Sequence, residues 1–292
     1  MTMRVFIFGA GYSARAFARS MAGEAERIGG TTRTEAKFEG LRVAGIEPFA
    51  FDGTGVSPEI AAELARTTHL VVSAGPNEAG DPVIAAASGH ILNTMPNLRW
   101  IGYLSTIGVY GNHDGAWIDE TAECKPRAGR SDNRREAEKE WEALAAKRGV
   151  PLAILRLSGI YGPGRNAFVN LANGTARRLI KPGQIFNRIH VDDIAGSLAH
   201  LARHETGGIF NVTDDEPAPP QDVVAFAALL MGVEPPPEID FESAELSPMA
   251  RSFYGENKRV SNAKLKATGY RFVQPNYREA FRTMWTEDTW RA

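Results

Sequence analysis

Short apolar runs alternate in the first half of the chain with longer stretches of mixed polarity, the pattern of parallel strands separated by helices. Residues 5–8 form the first run, as expected of a strand buried on both faces. The alanine-rich stretch 14–22 reads as a helix. Residues 27–32 predict a second strand, followed by a helix of mixed charge, and residues 46–51 a third strand ending at Asp52. Ser57, Pro58 and Glu59 supply a cap, a proline at the first helical position and an acid in the first turn, so a helix starts there. Further strands are expected at 70–73, closed by Ala74-Gly75-Pro76, at 100–104 and at 153–157.

The second half is less regular. Residues 191–202 read as a helix and 209–212 as a short strand, between the turn cluster at 161–165 and the breaker-rich segments 216–220 and 235–237. These pieces predict an α/β fold, a doubly wound parallel sheet of the Rossmann type with a small C-terminal substrate lobe. The expected division gives 1–162 and 191–215 to a dinucleotide-binding domain and 163–190 and 216–292 to the lobe.

Chemistry enters at the first turn. Gly9-Ala10-Gly11-Tyr12-Ser13-Ala14 fits G-x-G-x-x-G/A between a strand and a helix. In this pattern the first glycine permits a tight turn and the second lets a pyrophosphate approach the backbone. The small third residue lets helix and strand pack closely, and the helix N-terminus faces the phosphates. The end of the second strand distinguishes cofactors: an acid there suits NAD, and a cation suits the 2′-phosphate of NADP. Thr31-Thr32-Arg33-Thr34 places Arg33 at that point, with Arg15 within reach of the same phosphate, so NADP is expected ahead of NAD. The competing reading makes Arg33 a solvated residue at a helix start. Asp52 is placed to accept from the adenine amino group, or else to solvate a turn.

A formal net charge of −2 over 292 residues gives no basic field for nucleic acid or an anionic membrane. The single cysteine, Cys124, excludes an internal disulfide and a thiolate zinc cage. The histidines show no metal-ligand motif; His200 and His204, at i, i+4, are expected on the face of a surface helix, and no metal is expected. The apolar run before Gly9 is too short for a signal peptide and is followed by Arg15 and Arg19. No stretch approaches the ~20 apolar residues of a membrane span. A soluble, cytoplasmic protein, monomer or homodimer, with a small-molecule substrate and no nucleic-acid or membrane partner, is expected.

Four segments carry a resemblance. Tyr103-Leu104-Ser105-Thr106-Ile107-Gly108-Val109-Tyr110-Gly111 resembles the segment that supplies the active-site Ser/Thr in extended short-chain dehydrogenases/reductases. Leu155-Arg156-Leu157-Ser158-Gly159-Ile160-Tyr161-Gly162-Pro163-Gly164 resembles their sixth strand and the turn after it. His190-Val191-Asp192-Asp193 resembles the start of a late helix, and Phe210-Asn211-Val212-Thr213 a late strand. The superfamily includes NAD-dependent epimerases and dehydratases, often of nucleotide sugars. Residues 257–262 and 265–270 resemble an atypical branch of poorly characterised bacterial members. The resemblance implies cofactor contacts at Gly9, Ala10, Gly11, Tyr12, Ser13, Ala74, Gly75, Pro76 and Tyr161. By their own chemistry, Asp192 and Asp193 read as helix caps, Gly162-Pro163-Gly164 as a turn, and Tyr110 and Asn211 as structural residues.

One departure stands out. The resemblance implies a tyrosine as general acid/base and, four residues later, a lysine that lowers its pKa and binds the ribose. A glutamate follows by four more. Alignment on Glu138 puts Arg130 at the tyrosine position and Arg134 at the lysine position; a one-residue slip gives Ser131 and Arg135 instead. Arginine stays protonated and is a poor proton shuttle, but it binds phosphate or carboxylate well. Thr106, with Ser105 beside it, remains the substrate-orienting candidate, and Arg130 and Arg134 complete the expected catalytic set. Tyr161, His113 and Asp114 are candidate replacement proton carriers. Two functions follow: an NADP-dependent oxidoreductase, epimerase or dehydratase with an altered acid/base, acting on an anionic or nucleotide-sugar-like molecule, or a non-catalytic NADP-sensing regulator. The two arginines on a solvated helix face are the rival to an anion site.

Overall fold

The computed structural model describes residues 2–127 and 129–291. The chain begins β1 (Met3–Phe8), α1 (Tyr12–Ser20), β2 (Ala25–Thr32), α2 (Phe38–Val43), β3 (Glu47–Ala50), α3 (Pro58–Leu64), β4 (His69–Val72), α4 (Pro82–Asn93) and β5 (Trp100–Thr106). It continues through β6 (Trp117–Ile118), α5 (Arg130–Arg148), β7 (Leu152–Leu157), β8 (Gly159–Tyr161), α6 (Ala167–Ala172), β9 (Arg178–Ile180), β10 (Arg188–His190), α7 (Val191–Arg203) and β11 (Gly208–Val212). The remainder holds α8 (Pro220–Met231), β12 (Glu238–Asp240), α9 (Pro248–Phe253), β13 (Arg259–Val260), α10 (Ala263–Ala267) and α11 (Tyr277–Thr286). The strands expected in the first half all form, their ends displaced by at most two residues.

Seven strands make one sheet in the order β11-β7-β5-β4-β1-β2-β3. The pairs β1–β2, β1–β4, β2–β3 and β4–β5 are parallel, in keeping with the apolar runs of β1, β4 and β5. Strand order reverses between β1 and β4, the switch point at which ligands bind in such sheets.

The chain divides into two units. The first comprises Met1–Val109, Pro126–Arg156 and Ile194–Phe210; the second comprises Tyr110–Lys125, Leu157–Asp193 and Asn211–Ala292. Residues 110–125 group with the second unit, where β6 pairs with β13.

In the first unit, Phe6, Phe8, Leu70, Val72, Ile101 and Tyr103 from the sheet pack with Ile91 of α4 and Trp141 of α5. Ser57 caps α3 by accepting from the Ile60 N–H at 3.3 Å, as its sequence predicts. Asp81 caps α4 with one carboxylate oxygen, accepting from Val83 and Ile84, and its other oxygen accepts from the Trp141 indole at 3.0 Å. That single side chain therefore ties α4 to α5. The long, charged α5 buries Ala137, Glu138, Trp141, Leu144 and Ala145, a stripe at helical spacing, and ends at Gly149, whose φ of 73° is left-handed.

The second unit has its own core, formed by Phe168 of α6, Val223 and Ala227 of α8, and Tyr277, Phe281 and Met284 of α11. Its strands pair in twos, β8 with β10, β9 with β12 and β6 with β13, each pair parallel. Asp193 corrects the expectation of a helix cap. Its fully buried carboxylate accepts from the Tyr270 hydroxyl at 2.8 Å and from the Val273 and Gln274 N–H groups at 2.7 and 2.8 Å. A buried carboxylate needs several donors, and the loop before α11 supplies them. Asn211 and Tyr110 are structural, as expected: the Tyr110 hydroxyl donates to Asn211 at 2.7 Å, and both residues are fully buried.

Candidate functional site

Gly9 leaves β1 with φ 87°, and a Cβ there would stand 2.6 Å from the Ala74 nitrogen at the end of β4. Only glycine satisfies both the left-handed backbone and this approach. The turn is held from β2, where the Thr31 hydroxyl accepts from Gly9 N at 2.9 Å and the Thr31 carbonyl from Ala10 N at 2.8 Å. Gly11 is exposed at the N-cap of α1, has an ordinary φ of −86°, and a Cβ there would meet nothing within 4 Å. Gly11 has no side chain to cap this helix and its first turn carries no acid, so no carboxylate of that turn offsets the positive end of its dipole. Ser13 and Ala14 are buried against the sheet, while Tyr12 is half-buried.

Arg33 is exposed just beyond β2, and Arg15 is exposed in the first turns of α1; neither pairs with a carboxylate among the described residues. Asp52 accepts from the Thr54 N–H and hydroxyl at 2.9 and 2.7 Å, and the backbone contact is the larger cause holding its carboxyl below the usual range. It is ionised and exposed in a tight turn.

Ala74-Gly75-Pro76 follow β4, and Gly75 makes room for Arg134: a Cβ at Gly75 would lie 3.0 Å from the arginine Nη2. Arg134 Nη1 donates to the Leu104 carbonyl at 2.7 Å and to the Tyr103 hydroxyl at 3.2 Å, and the guanidinium lies 5.5 Å from the Tyr103 ring centroid. Arg134 is therefore folded onto the ends of β4 and β5 rather than onto a solvated helix face. Burial, working against Arg134, pushes the Tyr103 phenol well up, so it stays protonated and serves as an acceptor. Arg130, one turn earlier, is exposed.

Ser105 and Thr106 separate by strand alternation. The Ser105 hydroxyl donates at 2.6 Å to Glu138, which is fully buried and also holds Arg156 at 2.7 and 3.1 Å and Arg135 at 3.1 Å. Ser105 is thereby committed to a buried network. Thr106 is half-buried, and its hydroxyl accepts from the Gly108 N–H at 3.1 Å. A Cβ at Gly108 would stand 2.9 Å from the Ser131 hydroxyl and 3.4 Å from that of Thr106, so the two hydroxyls flank this glycine. The slipped register puts Ser131 at the tyrosine position, whereas the Gly75–Arg134 approach was not read from the sequence. The i, i+4, i+8 spacing of 130, 134 and 138, with Glu138 inward, carried the signal for Arg134.

Residues 90–213 match the NAD dependent epimerase/dehydratase family. The chain is 46% identical to a functionally unknown conserved protein of Silicibacter pomeroyi DSS, whose structure it matches over 98% of this chain and 99% of that one with a TM-score of 0.89. It is 27% identical to Protein YeeZ of Escherichia coli strain K12 over 250 residues, 80% of this chain and 85% of YeeZ. A human epimerase family protein determined with NADPH shares the fold at 17% identity, with a TM-score of 0.71 and coverage of 97% and 99%. The matched family is NAD dependent, and the turn at Gly9–Ser13 fits a dinucleotide: a glycine approach that a Cβ would fill, a helix N-cap without a side chain, and two exposed arginines that pair with no carboxylate among the described residues.

No group of three or more His, Cys, Asp or Glu residues among the described ones is placed to hold a metal, and no helix is long and apolar enough to cross a membrane. The rings of His200, on α7, and His204, just beyond its end, lie 4.6 Å apart at a tilt of 48°.

The remaining candidates belong to the second unit. His113 Nε2 contacts the Tyr110 carbonyl at 3.1 Å, and Asp114 accepts from Asn112 at 2.7 Å with a strained φ of 51°. Tyr161 is buried on β8, its ring edge-on to His190 and Phe281. Burial first, then the charge of Asp214, pushes its phenol far up, so it is no base at neutral pH. Asp214 is itself pushed up to about 8 by burial, against the Glu216 N–H and Arg188. Its folded pKa lies above the unfolded value of about 3.9, so its contribution is fully present below pH ~4 and is lost as pH rises through ~8. Urea unfolding is expected to show stability falling from pH 6.5 to 8, by at most about 1.4 kcal/mol per pH unit from this group. Asp214→Asn should flatten that slope; an unchanged slope in the variant would show that the carboxyl is ionised throughout. His190, whose pKa burial lowers, acts with the opposite sign below pH ~6.5 and leaves this window clear.

Proposed function

We propose that the chain is an NADP(H)-dependent enzyme of the epimerase/dehydratase type acting on a small, anionic molecule, with an arginine doing the ribose-binding work of the usual lysine. The observation that carries the cofactor choice is Arg33, exposed and unpaired where an NAD site places an acid, with Arg15 also unpaired. In this reading the α1 N-terminus takes the pyrophosphate and the two cations take the 2′-phosphate. Asp52 accepts from the adenine amino group, and Ala74, Gly75 and Pro76 border the cofactor. A bound nicotinamide supplies or removes hydride. Arg134, already fixed by Leu104 and Tyr103, offers its remaining N–H groups to the ribose or to a substrate anion. Thr106 orients the substrate oxygen, and Arg130 adds positive charge. Neither arginine transfers a proton at neutral pH.

A charge-assisted contact contributes roughly 1.5–3 kcal/mol, or about ten- to a hundredfold in affinity. Arg33→Ala is therefore expected to weaken NADP(H) by that factor and leave NAD(H) unchanged in calorimetric titration. Equal affinities of the wild type for both cofactors would end the NADP assignment. The arginines at both acid/base positions also favour a non-catalytic NADP-sensing protein. Tight NADPH binding with no oxidation at 340 nm across carboxylate- and phosphate-bearing aldehydes, ketones and sugars would select that reading.

A further inference from the structure

The second unit buries more hydrogen-bond donors than its own chain satisfies. In the parallel pair of β8 and β10, His190 stands opposite Tyr161 and Arg188 opposite Gly159. Arg188 and His190, two apart, share one face of the pair. The His190 Nδ1 accepts from the Asp192 N–H at 3.3 Å, so the neutral ring carries its proton on Nε2. That Nε2 is buried without a partner among the described residues, as are the hydroxyls of Tyr161 and Tyr277 and one carboxyl oxygen of Asp214. Asp214 adjoins Tyr161 without meeting hydrogen-bond geometry, and its backbone N–H donates to the Arg188 carbonyl at 2.7 Å.

Arg188 is half-buried at the centre of this group. Nη1 donates to the Phe186 and Ala218 carbonyls, each at 3.0 Å, which fixes the plane and leaves the other N–H groups unassigned. The guanidinium lies 5.9 Å from the Tyr277 ring centroid and forms no ion pair among the described residues. Asp214, Tyr277, Tyr161 and Tyr254 are all close enough for their charged forms to act on it. Buried donors left unpaired are costly, and native proteins rarely gather several in one place without a guest.

We propose that Arg188, Tyr161, Tyr277 and His190 form an oxyanion subsite within the second unit that takes the carboxylate or phosphate of a small-molecule ligand. Every member is a donor, one of them cationic, which matches an oxygen-rich anion and rejects a cation or an apolar group. Tyr161 belongs to this subsite rather than to the cofactor. The subsite is independent of the dinucleotide turn, which uses residues of the first unit only.

The test is calorimetric titration of the full chain, in a chloride buffer, with inorganic phosphate and separately with malonate. At least one anion is expected to bind, and a preference identifies the group as phosphate or carboxylate. Arg188→Gln should weaken binding about ten- to a hundredfold, and Tyr277→Phe or Tyr161→Phe about three- to tenfold. Each Tyr→Phe variant should also melt higher than wild type without anion, because an unpaired buried hydroxyl is removed. A merely structural tyrosine would melt lower. Gly11→Val removes any phosphate binding at the dinucleotide turn, and binding at the subsite should persist in that variant, which separates the two sites. If Arg188→Gln fails to fold, the two Tyr→Phe variants decide alone. The proposal is overturned if neither anion binds, if the tyrosine variants bind as wild type does, or if Gly11→Val abolishes binding.

Discussion

Dinucleotide binding is expected to disappear in a Gly11→Val variant that remains fully folded. The backbone at Gly11 has φ −86°, which valine adopts without strain, and a Cβ there meets nothing within 4 Å. The fold therefore gives no reason for a glycine at this position; a pyrophosphate lying on the backbone does. A branched side chain fills that space, and affinity for NADP(H) and NAD(H) should both fall at least a hundredfold, about 2.7 kcal/mol. Gly9→Ala is the instructive contrast. Its φ of 87° and the 2.6 Å approach to Ala74 make that variant unstable whatever it binds. Calorimetry on Gly11→Val, with circular dichroism to verify folding, checks this. Undiminished affinity in the folded variant would place the dinucleotide elsewhere.

Glu138→Ala is expected to lower stability by about 3–5 kcal/mol, the range for removing one partner of a buried ion pair. The Glu138 carboxylate is fully buried and serves Ser105, Arg156 and Arg135 together, and Arg156 is only 2% exposed. Its loss removes the carboxylate that holds the buried Arg156 guanidinium at 2.7 Å between α5 and the sheet. Ser105→Ala, which removes only one donor, should cost about 1 kcal/mol. Urea unfolding of both variants measures the difference. A loss below about 1 kcal/mol for Glu138→Ala would mean that water takes the place of the carboxylate. Since α5 also carries Arg134, a surviving Glu138→Ala protein should bind NADP(H) more weakly than wild type.

Strands β1, β4, β5 and β7 were legible because they are short apolar runs largely buried on both faces, a signal contained in consecutive residues. The glycine turn after β1 was legible for the same reason: tight turn, phosphate approach and helix start are properties of six adjacent positions. The Ser57 cap is equally local, since its acceptor and the Ile60 N–H are one turn apart. The likeness to the epimerase/dehydratase family could be read from four such local segments, and the departure at Arg130 and Arg134 from their spacing to Glu138.

What the sequence left open concerns direction and distance. Thr106 was the candidate with Ser105 beside it, and it is the packing of α5 on β5 that turns Ser105 toward Glu138 and leaves Thr106 beside Gly108. Asp193 read as a cap because a cap is the nearest use for an acid at a helix start. Its three donors come from residues about eighty positions away, and only the fold brings them together. Arg134 was open to two readings, solvated or inward, because a helix sequence fixes which residues share a face but not what that face meets. The donors around Arg188 come from β8, β10 and α11, three elements with no common local pattern. Strand and turn identity are decided by neighbours along the chain; the partners of a buried charge are decided by whichever elements the core brings against it.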